Sequence, residues 1–541
     1  MPSFERLRRN LRRHSLFVVI LILAALGRIF LLFYSQTHVN SDEAVIGLMG
    51  KHVLEGRYLS FYMYGQTYNA GAAWEAYGAA LIFAVFGIGV IQLKAVVLVL
   101  SLACLILFYR LGCQFYARRT ALLAVFVFVL FPSLLKWHFQ VRGYSWYFLS
   151  IPILTSLFLS IEADPHSKAI NVFFLGLASG LSLWCLELIL SLVAAFWCLL
   201  AVRRKLSRAG VIAGLLGFLL GYAPAIVFNF THEFSNWRSV FLNRPHAHAE
   251  SLFQIKTFIN IFFGELPRFF GSDTVYWYYS WVPVGGVVLY GIAVAGIVVV
   301  AWPLLRAPAR ILQGLRTGLT ETDEAKDLLM LLLAAACFIP YVAAGFRVPG
   351  YFLGGSFFLS FLIGRLIERC GVAVAMSFRL LGYSILLAIF LIGTGAMVEM
   401  GRHNEIETLV LKTREDAVFR TKLPQGPARF AGADIDGVQR HLREKHVSSV
   451  LVTMPFLYPL LFESGETLAV SDPILHSESW YYPAALTMPA PPVVDSPQPP
   501  IFVIETASPY LKAIQTGFAR LTGVEPVVVE YGALSVIEAR D

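Results

Sequence analysis

The sequence predicts an all-α, polytopic membrane protein of about eleven transmembrane helices plus interfacial helices, followed by a small C-terminal α/β domain. Three observations lead there. First, 57% of the 541 residues are hydrophobic and 14% charged, against about 25% charged in a soluble domain. Second, the apolar residues come in long runs. Leu16–Phe33 carries one charge, and Gly371–Met397 carries only Arg379, near its start. A bilayer core of about 30 Å needs roughly 20 apolar residues in a helix. Runs of this kind recur as far as residue 398 and then stop. Third, the composition changes after residue 400. There, strand-like VSSVLVTM, IFVIET and VEPVVVEYG alternate with helical DIDGVQRHLREK and SPYLKAIQTGFARLTG, the pattern of an α/β unit with mixed or parallel pairing. The domain boundaries are therefore 1–400 and 401–541.

The chain opens with MPSFERLRRNLRRHS and then an apolar stretch. That stretch is longer than the 7–15 residues of a signal-peptide core, and no small-x-small cleavage site follows it. It reads as an uncleaved first transmembrane helix with a basic cytoplasmic flank. The expected spans are 16–35, 92–110, 119–135, 143–161, 169–184, 187–201, 209–229, 281–304, 328–345, 351–368 and 377–398. The apolar segment 72–88 is short, starts beside Trp74 and Glu75 and ends at FGIG, so it is expected to lie in the interface. Basic residues support this count. With 72–88 off the list, the 1–15 flank, Arg110/Arg118/Arg119, Arg203/Arg204/Lys205/Arg208 and Arg365/Arg369/Arg379 share one face with Lys168, Arg306, Arg310, Arg316 and Lys326. The other face holds about half as many. The positive-inside rule then puts the N-terminus in the cytoplasm and the C-terminal domain outside the cytoplasmic membrane.

Two long loops fall on the outer face, 36–91 and 230–280. The first contains SDEAVIGLMGKHVLEG, expected to form a short helix capped by Ser41 or Asp42 and ended by Gly56. Val45, Leu48, Met49 and Val53 would share one face of it, as a helix lying on a membrane requires. The second loop is rich in aromatics, which first suggest an interfacial belt. The six cysteines are scattered through apolar runs with no metal-ligand spacing and read as small buried hydrophobes. The formal charge of +8 is distributed as membrane topology requires. No soluble module carries a basic face interleaved with aromatics, which argues against nucleic-acid binding.

The residues that could carry chemistry cluster on the outer face. Asp42 and Glu43 are adjacent acids just beyond the first span. Acids at a helix N-terminus also suit the macrodipole without any catalysis. Downstream, FYMYGQTYNAGAAWEAY brings Tyr64, Gln66 and Glu75 into one polar, aromatic stretch. Such a stretch suits a sugar, with hydroxyls on its edge and C–H groups on its face, and equally suits an anchor belt. KWHFQVRGYSW places Lys136, His138 and Arg142 at the same surface, and GFRVPGYF adds Arg347. Interfacial cations often only snorkel to water; several converging on one pocket suit a phosphate or diphosphate headgroup. Together they describe a pocket in which an acid could deprotonate a hydroxyl acceptor while cations receive a departing phosphate.

The acidic pair soon after the first span, in SDEAVIGLMGKHVLEGRYLSFYMYGQTYNAGAAWEAYGAALIFAVFG, resembles the first outer loop of GT-C glycosyltransferases. The dolichyl-phosphate-mannose protein mannosyltransferase-like group (family 39-like) is the nearest in pattern. The resemblance covers roughly residues 1–400 and is most specific in the first loop and in VRGY. It implies an inverting glycosyltransferase that takes a sugar from a polyprenyl-phosphate carrier to a hydroxyl acceptor (lipid, glycan or protein) outside the cytoplasmic membrane. It implies Asp42 as the base, with Glu43 as its support or a substrate contact. Lys136, Arg142 and Arg347 would meet phosphate, and Tyr64, Gln66 and Glu75 sugar or acceptor. Some GT-C enzymes require a divalent metal; the first loop has no additional acidic cluster, so no cofactor is expected.

Two other readings compete. A transporter or flippase of lipid-linked sugars would place ionisable groups near mid-membrane and show repeated halves; the spans here are nearly free of acids and no repeat is evident. A non-catalytic membrane scaffold built around the C-terminal domain would leave Asp42 dispensable.

Overall fold

The computed structural model describes residues 14–35, 37–64, 72–163, 169–238, 259, 262–263, 266–270, 282–306, 322–343, 352–372, 376–402, 434–452, 454–471, 501–505, 511–532 and 534–540. Among the described residues, each segment expected to span the membrane is mainly helical. α1 (Ser15–Tyr34) is followed by α2 (Ser41–Leu54), α3 (Ala72–Phe86), α4 (Val90–Phe115), α5 (Arg118–Leu130) and α6 (Pro132–Trp137). α5 and α6 divide the expected span 119–135 because Pro132 biases Phe131 out of the helical region; Phe131 is extended, at ψ 116°. Next come α7 (Tyr144–Ala163), α8 (Ala169–Cys185), α9 (Leu190–Val202), α10 (Arg208–Gly221) and α11 (Ala223–Thr231). α10 and α11 meet at 56°, with Pro224 in the first turn of α11. A short α12 (Leu266–Phe270) precedes α13 (Val282–Arg306), α14 (Asp323–Ala343), α15 (Leu353–Val372) and α16 (Met376–Arg402).

Among the described residues, five helices are long and apolar enough to cross a bilayer, and six if the bent pair α10–α11 is one span. The chain is a multi-pass membrane protein. Leu23, Phe30, Phe33, Leu216, Val287 and Leu391 remain exposed on the helix surfaces, as side chains facing lipid do. Inside, Phe108 of α4 stacks on Phe128 and Phe361 at 4.7 and 4.4 Å and meets Phe357 edge-on. α8 and α10 touch backbone to backbone. A Cβ on Gly176 would lie 2.0 Å from the Gly214 carbonyl, and one on Gly217 2.1 Å from that of Phe173. With no solvent to drive apolar helices together, such close approach through small residues supplies the packing energy.

The bundle has two distinct ends. At one, His14 Nδ1 lies 2.8 Å from the Tyr109 hydroxyl, setting the start of α1 beside the end of α4. Buried Asp327 of α14 accepts there from Tyr116 (2.8 Å) and Arg365 Nε (3.2 Å) and pairs with Arg369. Arg365 also reaches Asp323 and Glu368, stapling the α4–α5 turn to α14 and α15.

The opposite end carries α2, α3, α6 and a mixed five-stranded sheet. α17 (Ile435–Glu444), β1 (Ser449–Val452), α18 (Met454–Glu463), β2 (Ala469–Ser471), β3 (Phe502–Glu505), α19 (Leu511–Thr522), β4 (Pro526–Tyr531) and β5 (Leu534–Ala539) build it. The strand order is β2-β1-β3-β5-β4. β1 runs parallel to β2 and β3, and β5 antiparallel to β3 and β4.

Two expectations about α2 are corrected. Its N-cap is Asn40, not Ser41 or Asp42. The Asn40 side chain accepts from the Glu43 N–H (3.1 Å) and Glu43 accepts from the Asn40 N–H (3.0 Å). This capping box needs an acid three positions after the cap, and that spacing selects Asn40. Nor does α2 show one face to a membrane. Every residue from Glu43 to Gly50 is buried, because α3 and α18 both lie against it: a Cβ on Gly50 would meet Ala79 at 2.8 Å and one on Gly47 the Phe462 ring at 2.6 Å. Beyond the helix, Gly56 takes φ +67° and stops it, as expected.

Candidate functional site

The acids singled out in the first loop converge on one short piece of chain, Val141–Ser145. Asp42, in the first turn of α2, is ion-paired with Arg142, and both side chains are about one-third exposed, at 31% and 27%. Glu43 points the other way and is fully buried. One of its oxygens closes the capping box, and the other accepts from the Val141 N–H at 3.0 Å. Lys94 of α4, equally buried, lies 3.7 Å from it. Glu75, in the first turn of α3, accepts from the Gly143 N–H at 2.7 Å and from the Ser145 hydroxyl. Two loop acids thus fix the backbone on either side of Arg142, and the third engages its guanidinium. Gly143 sits at φ +82°, a conformation glycine takes without strain. It turns the chain from Arg142 into α7.

Burial pushes the Glu75 carboxyl up to about 7, opposed by the Ser145 hydroxyl and backbone N–H bonds and reinforced by the charge of Glu43. In the unfolded chain the group titrates near ~4.3. The native state therefore keeps its proton to higher pH. This group's contribution to stability is complete below about pH 4.3 and is lost as pH rises through about 7. Thermal midpoints measured across that window should fall by the equivalent of roughly 3 kcal/mol. Glu75→Gln should remove most of that slope; an unchanged slope would refute the assignment.

An aromatic wall adjoins Glu75. Trp74 stacks on Trp146 at 4.6 Å and 4° and leans on Trp184 at 5.4 Å. Tyr62 packs edge-on against Phe228. Among the described residues, the Trp74 and Trp146 indole N–H groups and the Tyr62 hydroxyl are buried without a hydrogen-bond partner. Buried donors of this kind ordinarily find an acceptor.

The other expected site residues are placed differently. Tyr64 is buried and bonds through its hydroxyl to His52 Nδ1 at 2.9 Å. His52 Nε2 in turn meets Glu466 beyond α18 at 3.1 Å, which ties Tyr64 to the C-terminal unit. His138 is buried rather than at a surface. It lies 2.7 Å from Arg28 Nη2 of α1, inside the bundle. Lys136 falls on α6, but its side chain, like Gln66 and Arg347, lies outside the described residues.

Asn40, Lys94, Ser145 and Trp146 join the constellation without having been singled out for a role. Two had legible signals. Asn40 stands three residues before Glu43, the capping-box spacing, and Lys94 is a charge set inside the first half of an apolar helix, which by default marks a paired, functional position. Ser145 and Trp146 had none, because their partners lie about 70 residues earlier in the chain.

No family model matches the chain, and no curated protein matches it in sequence. Solved structures do. The chain is similar to ArnT from Cupriavidus metallidurans bound to undecaprenyl phosphate, with a TM-score of 0.57 and 14% identity over 97% of this chain and 98% of that one. It is similar to the same protein in the apo state, with a TM-score of 0.58 and 13% identity over 96% and 97%. The chain thus has the GT-C fold that its first loop suggested.

Proposed function

We propose that the chain is an inverting glycosyltransferase that moves a sugar from a polyprenyl-phosphate carrier to a hydroxyl acceptor on the outer face of the cytoplasmic membrane. One observation carries the reading. Asp42 and Arg142, an acid and a cation of complementary use, face each other about one-third exposed, while Glu43 and Glu75 immobilise the backbone on either side of Arg142. The whole-length likeness to a protein crystallised with undecaprenyl phosphate supports the donor class.

In this mechanism the donor phosphate competes for the Arg142 guanidinium, whose planar fork suits phosphate, and so releases Asp42. Asp42 accepts the proton of the acceptor hydroxyl. The acceptor oxygen bonds to the anomeric carbon as the anomeric C–O bond to phosphate breaks, which inverts the centre. Polyprenyl phosphate leaves with the bonding pair, and Arg142 meets its charge. Lys136 and Arg347 belong to the same phosphate set and Gln66 to the sugar set, whereas Glu75, expected there too, is fully buried with both oxygens on Gly143 and Ser145 and positions Arg142 instead. The aromatic wall of Trp74, Trp146 and Trp184 supplies the apolar face against which a sugar or prenyl chain would lie.

Label transfer from a pool of radiolabelled polyprenyl-phosphate sugars in membranes tests the reading, comparing wild type with Asp42→Asn. Transfer by wild type and its loss in the variant support it. No transfer by either, across several donor sugars, would favour a transporter or scaffold instead.

A further inference from the structure

Away from Arg142, where the C-terminal unit meets the stretch between α1 and α2, three side chains from three elements converge. His38 precedes α2, Asp436 lies in the first turn of α17, and Glu463 ends α18. One ligand atom from each lies within 4.8 Å of the other two. We propose that His38, Asp436 and Glu463 form a divalent-metal site of the zinc class that clasps the C-terminal unit to the residues leading into α2.

Four observations carry this. The His38 and Glu463 side chains are each nine-tenths buried, at 9% exposure, with Nδ1 and Oε1 3.7 Å apart. That separation is too long for a hydrogen bond, and neither atom has a hydrogen-bond partner among the described residues. It is close to the separation of about 3.4 Å between two ligands of a tetrahedral zinc with bonds of roughly 2.1 Å. The remaining Glu463 oxygen accepts from Gln439 Nε2 at 3.2 Å, which turns Oε1 toward His38, as an outer-shell partner orients a metal ligand. Finally, Glu463 is the last residue of α18, where the helix presents its carbonyls and partial negative charge. A buried carboxylate there is disfavoured unless a cation lies beside it.

Exposed Asp436 gives the ion an entry path, and a water would complete a four-coordinate set. The role is structural. His38 stands two residues before Asn40, whose capping box begins α2, so the clasp holds the non-helical stretch that delivers Asp42. The inference does not depend on the proposed glycosyl transfer.

The test uses the full chain in detergent, purified on a tag without histidine, stripped with chelator and dialysed against zinc. We expect about one zinc per chain and a higher thermal midpoint with zinc than without. His38→Gln, Glu463→Gln and Asp436→Asn should each weaken zinc binding by more than about tenfold and abolish the zinc-dependent shift. Should a buried variant fail to fold, Asp436→Asn, at an exposed position, still decides. Substoichiometric zinc in the wild type, or unchanged binding by folded Asp436→Asn, would overturn the proposal.

Discussion

Asp42→Asn should lower sugar transfer by roughly 10²- to 10⁴-fold, the range expected on removing a general base, while protein level and thermal midpoint stay at wild-type values. The asymmetry follows from the surroundings. Asn keeps the size of Asp and an acceptor oxygen for Arg142, but it cannot hold the acceptor's proton. The lost ion pair is about one-third exposed on each side, and pairs of that kind contribute about 0–1 kcal/mol. Transfer within a factor of two of wild type would remove Asp42 from the mechanism; a large fall in melting temperature would show that its role is architectural.

Its neighbour should behave in the opposite way. Glu43→Ala should destabilise the protein by about 3–5 kcal/mol, as breaking a buried ion pair does. It leaves Lys94 charged and uncompensated in the bundle, opens the Asn40 cap and orphans the Val141 N–H. Any loss of transfer should then track the loss of folded protein. Replacing Lys94 as well, in Glu43→Ala/Lys94→Met, removes the stranded charge. The double variant should melt above the single one, a coupling that a thermodynamic cycle isolates. A Glu43→Ala protein that melts like wild type would show that the carboxylate does not hold the site together.

Hydropathy locates apolar helices because each span solves its hydrogen bonding alone. For that reason the apolar helices were readable, while the stop at Gly56 was readable from glycine's freedom at positive φ. What hydropathy could not show are contacts made across the sequence. Val45, Leu48 and Met49 seemed to need a membrane because they are buried in a cluster completed by α3, α4 and, some 400 residues on, α18. His138 read as a surface cation because its partner, Arg28, stands 110 residues earlier. The bends at Phe131 and between α10 and α11 come from local proline geometry. The site was legible as a set of residue types, since paired acids and a nearby arginine are chemically conspicuous. The division of labour was not: adjacent Asp42 and Glu43 differ only in which side of a helix turn they occupy, which packing decides.

The embrace of α2 by α18 also sets an order of assembly. Lys51 and His52 are held by Glu466, 414 residues later in the case of His52. At synthesis rates of roughly 5–20 residues per second, α2 leaves the ribosome on the order of half a minute before its cover exists. Until then its apolar surface must be shielded by lipid or a chaperone. A chain that stops short of α18 would carry both residues of the Asp42–Arg142 pair yet lack part of the surface that buries α2, so the setting of that pair is complete only once residues some 400 positions downstream have been made.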